Sequence, residues 1–205
     1  RKEIFQKEKT PNTDTEILNI FERNYPVIYI SGGSLGSHII NMKILSQLDS
    51  ILNRYSILLQ TGDNTNFKDF ELAQDIKMKL DENKSKRFLP MKYVDSDNIG
   101  YVMNNMHMFI GRSGANTVYE LGVLKKYSIL IPIPWVTHNE QYLNAKVLED
   151  IGTAKIVEEK YLKDTNMVEE IEKFEEQIKL RDINIDKLDE IFPINAASKI
   201  LNDIL

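Results

Sequence analysis

Three short stretches carry the residue types that could do chemistry, and each follows an apolar run and precedes a helix-like pattern. The first is Ser31-Gly32-Gly33-Ser34-Leu35-Gly36-Ser37. Glycines at a strand exit let the backbone turn tightly and approach a ligand. The amides of the helical turn that follows have no intrahelical partner and carry partial positive charge, which suits a phosphate. Ser34 is the side chain expected on a diphosphate, with the amides of Leu35 and Gly36 beside it. A plain glycine-rich β-to-α turn has the same composition, and the stretch is neither a Walker P-loop nor a complete GxGxxG fingerprint.

The second stretch is Gly111-Arg112-Ser113-Gly114-Ala115-Asn116-Thr117-Val118-Tyr119-Glu120, again a strand end, a glycine turn and a helix start. Two such helix N-termini at the ends of two parallel strands suit a diphosphate. Glu120 falls in the early turns of the second helix, where a carboxylate can accept hydrogen bonds from both ribose hydroxyls; a dipole-compensating surface acid would sit there equally well. Arg112 could meet a phosphate or form a structural ion pair. The third stretch runs from Pro132 through His138, Asn139, Glu140, Gln141 and Asn144 to Ala145. Gln141 and Asn144 both donate and accept, which suits sugar hydroxyls, although Asn139 or His138 as a simple helix cap also explains the loop.

Other reactive residue types argue against alternative chemistries. His38, His107 and His138 lie in separate segments without ligand spacing, so no metal site is expected. The chain has no cysteine, which removes disulfides, thiolate nucleophiles and cysteine zinc sites and fits a reducing compartment. Lys125-Lys126 reads as a solvated helix end, and the methionines between Met103 and Met108 read as packing.

The elements that must hold these stretches alternate along the chain. Apolar β-rich runs at 27–30, 56–60, 87–89, 108–110, 128–131 and 153–157 are separated by helical patterns near 38–53, 67–80, 98–105, 116–124 and 139–150. This alternation predicts an α/β fold, a doubly wound parallel sheet of Rossmann-like type, with ligands at the carboxyl ends of the strands. Residues 1–25 read as a polar linker or edge segment plus a first helix capped by Thr13 or Asp14, and 26–205 as the ligand-binding domain. After Glu158 the chain turns acidic and lysine-rich, as solvated outer helices do, and Pro193 is expected to open a terminal helix to Leu205.

At 205 residues the chain suits one α/β core. Its net charge of −5, with lysines dispersed among acids, offers no field to gather nucleic acid or an anionic membrane. No apolar run approaches the roughly 20 residues that span a bilayer, so direct membrane insertion is not expected. The chain begins at Arg1 rather than methionine, which suggests a piece of a longer protein whose other half is missing.

Taken in order, these stretches resemble the C-terminal domain of family 28 glycosyltransferases over nearly the whole chain. The matching residues are Arg1-Lys2-Glu3, the strand and turn from Val27 to Gly36, Arg112-Ser113-Gly114-Ala115 with Thr117 and Glu120, and Gln141-Tyr142-Leu143-Asn144-Ala145. Leu35 and Asn116 depart from the family pattern, which commonly has glutamine and leucine there.

The resemblance implies the donor-binding half of a two-domain GT-B enzyme. Ser34, Leu35 and Gly36 would meet the diphosphate, and Val94 the uracil through its backbone. Ala115, Asn116, Thr117, Val118, Tyr119 and Glu120 would line the donor, with Glu120 on the ribose. Gln141 would read the sugar and Arg1 would reach the nucleotide from the linker. The implied reaction is an inverting transfer from UDP-N-acetylglucosamine to a lipid-linked peptidoglycan precursor, with no metal or other cofactor. It would take place at the cytoplasmic face of the membrane, with the general base and acceptor groove in the missing half. By this reasoning the chain alone binds donor weakly and does not turn over. Two rivals stand beside it: a relative or separate subunit with another lipid acceptor, and a non-catalytic nucleotide-binding module on the same fold.

Overall fold

The computed structural model describes residues 2–135, 137–180 and 186–194. Six strands form one wholly parallel sheet: β1 (Val27–Ser31), β2 (Ser56–Gln60), β3 (Phe88–Met91), β4 (Met108–Gly111), β5 (Ser128–Leu130) and β6 (Ala154–Ile156). Their order is β3-β2-β1-β4-β5-β6. Successive side chains of a strand point to opposite faces, and both faces here are apolar. Ile28 and Ile30 of β1 enter one hydrophobic core while Val27 and Tyr29 enter the other. β2 repeats the pattern, with Ile57 and Leu59 on the first face and Leu58 on the second.

Helices cover both faces, as the doubly wound expectation requires. On the first face lie α2 (His38–Ile51), α3 (Asp69–Lys79), α8 (Glu159–Leu162) and α9 (Met167–Leu180). Helix α9 explains how an acidic, lysine-rich stretch can fold. Met167, Ile171 and Phe174 recur on one helical face and are buried, while charged residues such as Glu169, Lys173 and Glu176 face solvent. On the second face lie α1 (Thr15–Phe21), α5 (Ser96–Asn105), α6 (Ala115–Val123), α7 (Glu140–Ile151) and α10 (Asp186–Ile191). The short helix α4 (Glu82–Ser85), unforeseen in the sequence, is capped by Asp81 and leads into β3.

Several boundaries shift by one or two residues from the sequence expectation, and two of the shifts have a visible physical reason. β3 continues through Pro90, which lacks a ladder donor, because β3 is an edge strand where a missing N–H is tolerated. α5 begins at Ser96 because the Asp95 carboxylate accepts from the amides of Asp97 and Asn98.

The opening segment is also more than a linker. Lys2–Phe5 forms a 3-10 turn with Ile4 fully buried, and Asn104 of α5 donates its side-chain amide to the Ile4 carbonyl at 2.6 Å. The turn lies so close that a side chain at Gly100 would overlap the Glu3 carbonyl. The part of the expected terminal helix from 195 to 205 lies outside the described residues.

Candidate functional site

Chain order runs outward from β1 through β2 to β3, then crosses back to β4 on the other side of β1. The carboxyl ends of β1 and β4 therefore form the topological switch point, where doubly wound sheets bind ligands. A cavity of about 250 Å³ opens there. Its polar residues include Ser34, Gln60, Thr117 and Glu120, and its apolar wall includes Val94, Ile99, Met103 and Phe109. Ser34 from the first glycine turn thus shares a cavity with Thr117 and Glu120 from the second, and with Val94 from the loop between β3 and α5.

The first turn is built by close packing. Gly36 adopts a positive φ of 74°, and a β-carbon there would stand 1.9 Å from the Thr61 carbonyl oxygen. The turn after β1 is therefore pressed against the loop after β2, and Gly62 meets Gly36 from the other side at similar range. Inside the turn the Gly36 amide donates to the Gly33 carbonyl at 3.1 Å. That amide, expected on a diphosphate, is already engaged. Ser34 and Leu35 are exposed at the tip.

The second turn is more open. Gly114 caps α6 with no side-chain hydrogen bond, and space lies empty where its side chain would be. The first helical bond runs from the Val118 amide to the Gly114 carbonyl, so the amides of Ala115, Asn116 and Thr117 have no partner within the helix. Ala115 and Asn116 are exposed and Thr117 half-buried. Three residues on from Thr117, Glu120 faces the same cavity and is 4% exposed. The neighbouring side chains turn elsewhere. Val118 packs in the core, and the Tyr119 hydroxyl donates to the Pro193 carbonyl at 3.1 Å with its ring edge-on to Phe192.

The third stretch is tied to the second rather than to the cavity. Ser113, fully buried, donates its hydroxyl to the Gln141 carbonyl at 2.8 Å, and the Asn144 amide donates to the Ser113 carbonyl at 3.3 Å. The Gln141 side-chain oxygen accepts from the Ile133 amide at 3.1 Å, which pins the proline-rich loop to the start of α7. His138 and Asn139 both have positive φ just before that helix. Gln141 does not line the cavity, and Arg1 lies outside the described residues.

Arg112, left open between phosphate and ion pair, forms the ion pair. Its guanidinium contacts Glu159 at the start of α8, donates to the Ile131 carbonyl at 3.0 Å and donates to the Ser37 hydroxyl at 2.8 Å. Burial lowers its pKa, and the Glu159 carboxylate pulls the other way.

The residue that sequence reasoning missed is Gln60. Its side-chain oxygen accepts from the Tyr29 hydroxyl and from the Val94 amide, both at 3.0 Å, and its nitrogen donates to the Ser31 hydroxyl at 3.1 Å and the Gly33 carbonyl at 3.2 Å. The available signal was a lone amide closing the otherwise apolar strand Ser-Ile-Leu-Leu-Gln, at its carboxyl end. One consequence concerns Val94: with its amide on Gln60, the backbone group it can offer a base is its carbonyl.

A doubly wound parallel sheet with a polar-rimmed, apolar-walled cavity at its switch point has the architecture of one half of a GT-B glycosyltransferase. Residues 27–190 match the glycosyltransferase family 28 C-terminal domain, and the chain belongs to that family. Similar curated proteins are UDP-N-acetylglucosamine--N-acetylmuramyl-(pentapeptide) pyrophosphoryl-undecaprenol N-acetylglucosamine transferases. That of Clostridium botulinum (strain Kyoto / Type A2) is 34% identical over 154 residues, covering 74% of this chain and 39% of the relative. That of Clostridium novyi (strain NT) is 31% identical over 190 residues, covering 90% and 48%. The chain therefore spans less than half the length of these relatives. In solved structures the fold recurs in Acinetobacter baumannii MurG, with TM-score 0.65 at 20% identity over 97% of this chain and 53% of that one. It recurs also in the UDP-GlcNAc 2-epimerase of Neisseria meningitidis, with TM-score 0.56 at 19% identity over 92% and 46%.

Proposed function

We propose that this chain is the donor-binding domain of an inverting glycosyltransferase that takes N-acetylglucosamine from its UDP donor to the lipid-linked muramyl-pentapeptide precursor of peptidoglycan. The observation that carries this reading is the shared cavity of Ser34, Val94, Thr117 and Glu120 at the switch point. The activity named for the relatives supplies the sugar and the acceptor.

In this reading the base lies against Val94 and the apolar wall, Glu120 accepts from the ribose hydroxyls, and the diphosphate spans Ser34 and the open amides of Ala115 to Thr117. Gln141 and the loop it pins read the sugar from outside the cavity. In the reaction the acceptor oxygen attacks C1 of the sugar as the bond from C1 to the β-phosphate oxygen breaks. The acceptor proton passes to a base supplied from beyond this chain, and UDP leaves with added negative charge. This chain's contribution is electrostatic: oriented amide dipoles and a serine hydroxyl already face that charge before it forms. Among the described residues no helix is long and apolar enough to cross a membrane. A pyrophosphoryl-undecaprenol acceptor would instead bring the whole enzyme to the inner membrane face through the part of the relatives that this chain does not cover.

Isothermal calorimetry with UDP, UDP-N-acetylglucosamine and UDP-glucose tests the reading. Saturable heat for UDP, with the N-acetylglucosamine donor bound more tightly than the glucose donor, is expected. No heat for any of the three would overturn it and favour a non-catalytic module.

A further inference from the structure

The sheet offers one buried polar side chain that joins three separate walls of the cavity. Gln60 ends β2, is 7% exposed, and uses both donors and both lone pairs of its carboxamide on four different partners. Its orientation is fixed by chemistry, because the Val94 amide can only donate and the Gly33 carbonyl can only accept. A flipped amide would set nitrogen against N–H and oxygen against carbonyl. Glutamine is therefore demanded there in a way that neither glutamate nor methionine satisfies.

The four partners divide by role. Val94 belongs to the loop between β3 and α5, Ser31 to the end of β1, Gly33 to the glycine turn that follows it, and Tyr29 to the floor beneath them, where its ring meets Phe109 edge-on. Ser31 extends the network, since its hydroxyl also accepts from the Gly33 amide at 3.1 Å. Gly33 is thus held from both sides of its peptide, amide to Ser31 and carbonyl to Gln60, with Ser34 next in the chain.

We propose that Gln60 is a positioning residue that fixes the distance between the base-facing loop at Val94 and the phosphate-facing turn at Gly33-Ser34, so that the cavity accepts a nucleoside diphosphate as a single rigid body. The proposal rests on the donor-binding reading above and adds to it the residue that sets the span. Gln60 touches the cavity, but its effect on the phosphate passes through Gly33 and Ser34.

The test exploits the division of roles. Gln60→Glu keeps oxygen toward Tyr29 and Val94 but replaces the donor facing Gly33 with a second acceptor, so the turn is released while the base loop stays. Binding of UDP and of uridine is measured for wild type and variant by calorimetry and ligand-observed NMR at about pH 8 and about pH 5. The expected result at the higher pH is about a tenfold loss for UDP with uridine nearly unchanged, the loss of one or two buried hydrogen bonds on one side only. At the lower pH the protonated carboxyl regains a donor, and the UDP deficit relative to wild type shrinks. Ser31→Ala, which removes the hydroxyl relay without adding charge, should show the same selectivity for UDP over uridine at both pH values. Equal loss of UDP and uridine with no recovery at low pH would reduce Gln60 to a general structural role and overturn the proposal, as would a variant indistinguishable from wild type. Absence of UDP binding by the wild type would instead bring down the donor-binding reading itself.

Discussion

Arg112 donates to the Ser37 hydroxyl at 2.8 Å, which links the second glycine turn to the residue that caps the helix behind the first. A serine in that position ordinarily turns its oxygen toward its own helix amides, yet here Ser37 makes no such bond. The helix amides behind the first turn are thereby left without a side-chain cap, and the same arginine anchors the end of β5 and the start of α8. Arg112 acts as the bolt between the two glycine turns.

Removing that bolt should be costly. Arg112→Leu strands the buried Glu159 carboxylate, and breaking a buried pair in this way costs about 3 to 5 kcal/mol. Urea unfolding should show that drop in midpoint, while Arg112→Leu combined with Glu159→Leu should recover much of it. A double variant as unstable as the single one would show that the ion pair is not what Arg112 contributes.

Gly36→Ala tests the packing of the first turn. The added methyl group would overlap the Thr61 carbonyl and the backbone would hold an alanine at positive φ, together costing on the order of 3 kcal/mol. Thermal unfolding should fall accordingly. Gly33→Ala, where φ is also positive but nothing lies within 4 Å, should lose only the smaller conformational part.

The contrast between these glycines shows what a sequence can carry. Alternating apolar runs made the six strands legible because both faces of a parallel sheet must be buried, and the glycine turns stood out because they follow strands. The partners of each group were not legible. That the Gly36 amide is spent inside its turn, that Arg112 serves Glu159 and Ser37, and that Asn144 holds Ser113 depend on residues 3 to 75 positions apart meeting in space. Gln60 escaped notice because a single glutamine has no periodicity. The opening segment reads in sequence as a linker or edge segment because its polar residues outnumber Ile4, the side chain that anchors it.

Stability should also fall in alkali through a residue far from the cavity. Burial, reinforced by the nearby Glu175 carboxylate, raises the pKa of the Tyr55 hydroxyl above its ordinary value near 10. With the folded value above the unfolded one, Tyr55 costs nothing below about pH 10. As pH rises past that point the unfolded chain releases the proton and the folded chain does not, so stability drops by about 1.4 kcal/mol per pH unit within the window. Tyr55→Phe should flatten the alkaline limb of a stability profile relative to wild type. Parallel profiles would remove Tyr55 as the cause.

Glu120 provides the sharpest check on the proposed donor site, because its role there depends on ligand atoms that can be removed. It is buried against the cavity in the early turns of α6, where two carboxylate oxygens can accept from vicinal hydroxyls. Glu120→Gln keeps the shape and one acceptor but gives up the charge. Hydrogen bonds to a charged group are worth about 1.5 to 3 kcal/mol, so UDP should bind roughly ten- to a hundredfold more weakly. The same comparison with 2′,3′-dideoxy-UDP closes a double-mutant cycle. If the carboxylate holds the ribose, wild type and variant should bind the dideoxy ligand almost equally, since the partner hydroxyls are gone from both. If the variant loses the same factor for the dideoxy ligand as for UDP, Glu120 acts on the fold or on the general field of the cavity, and its assignment to the ribose fails.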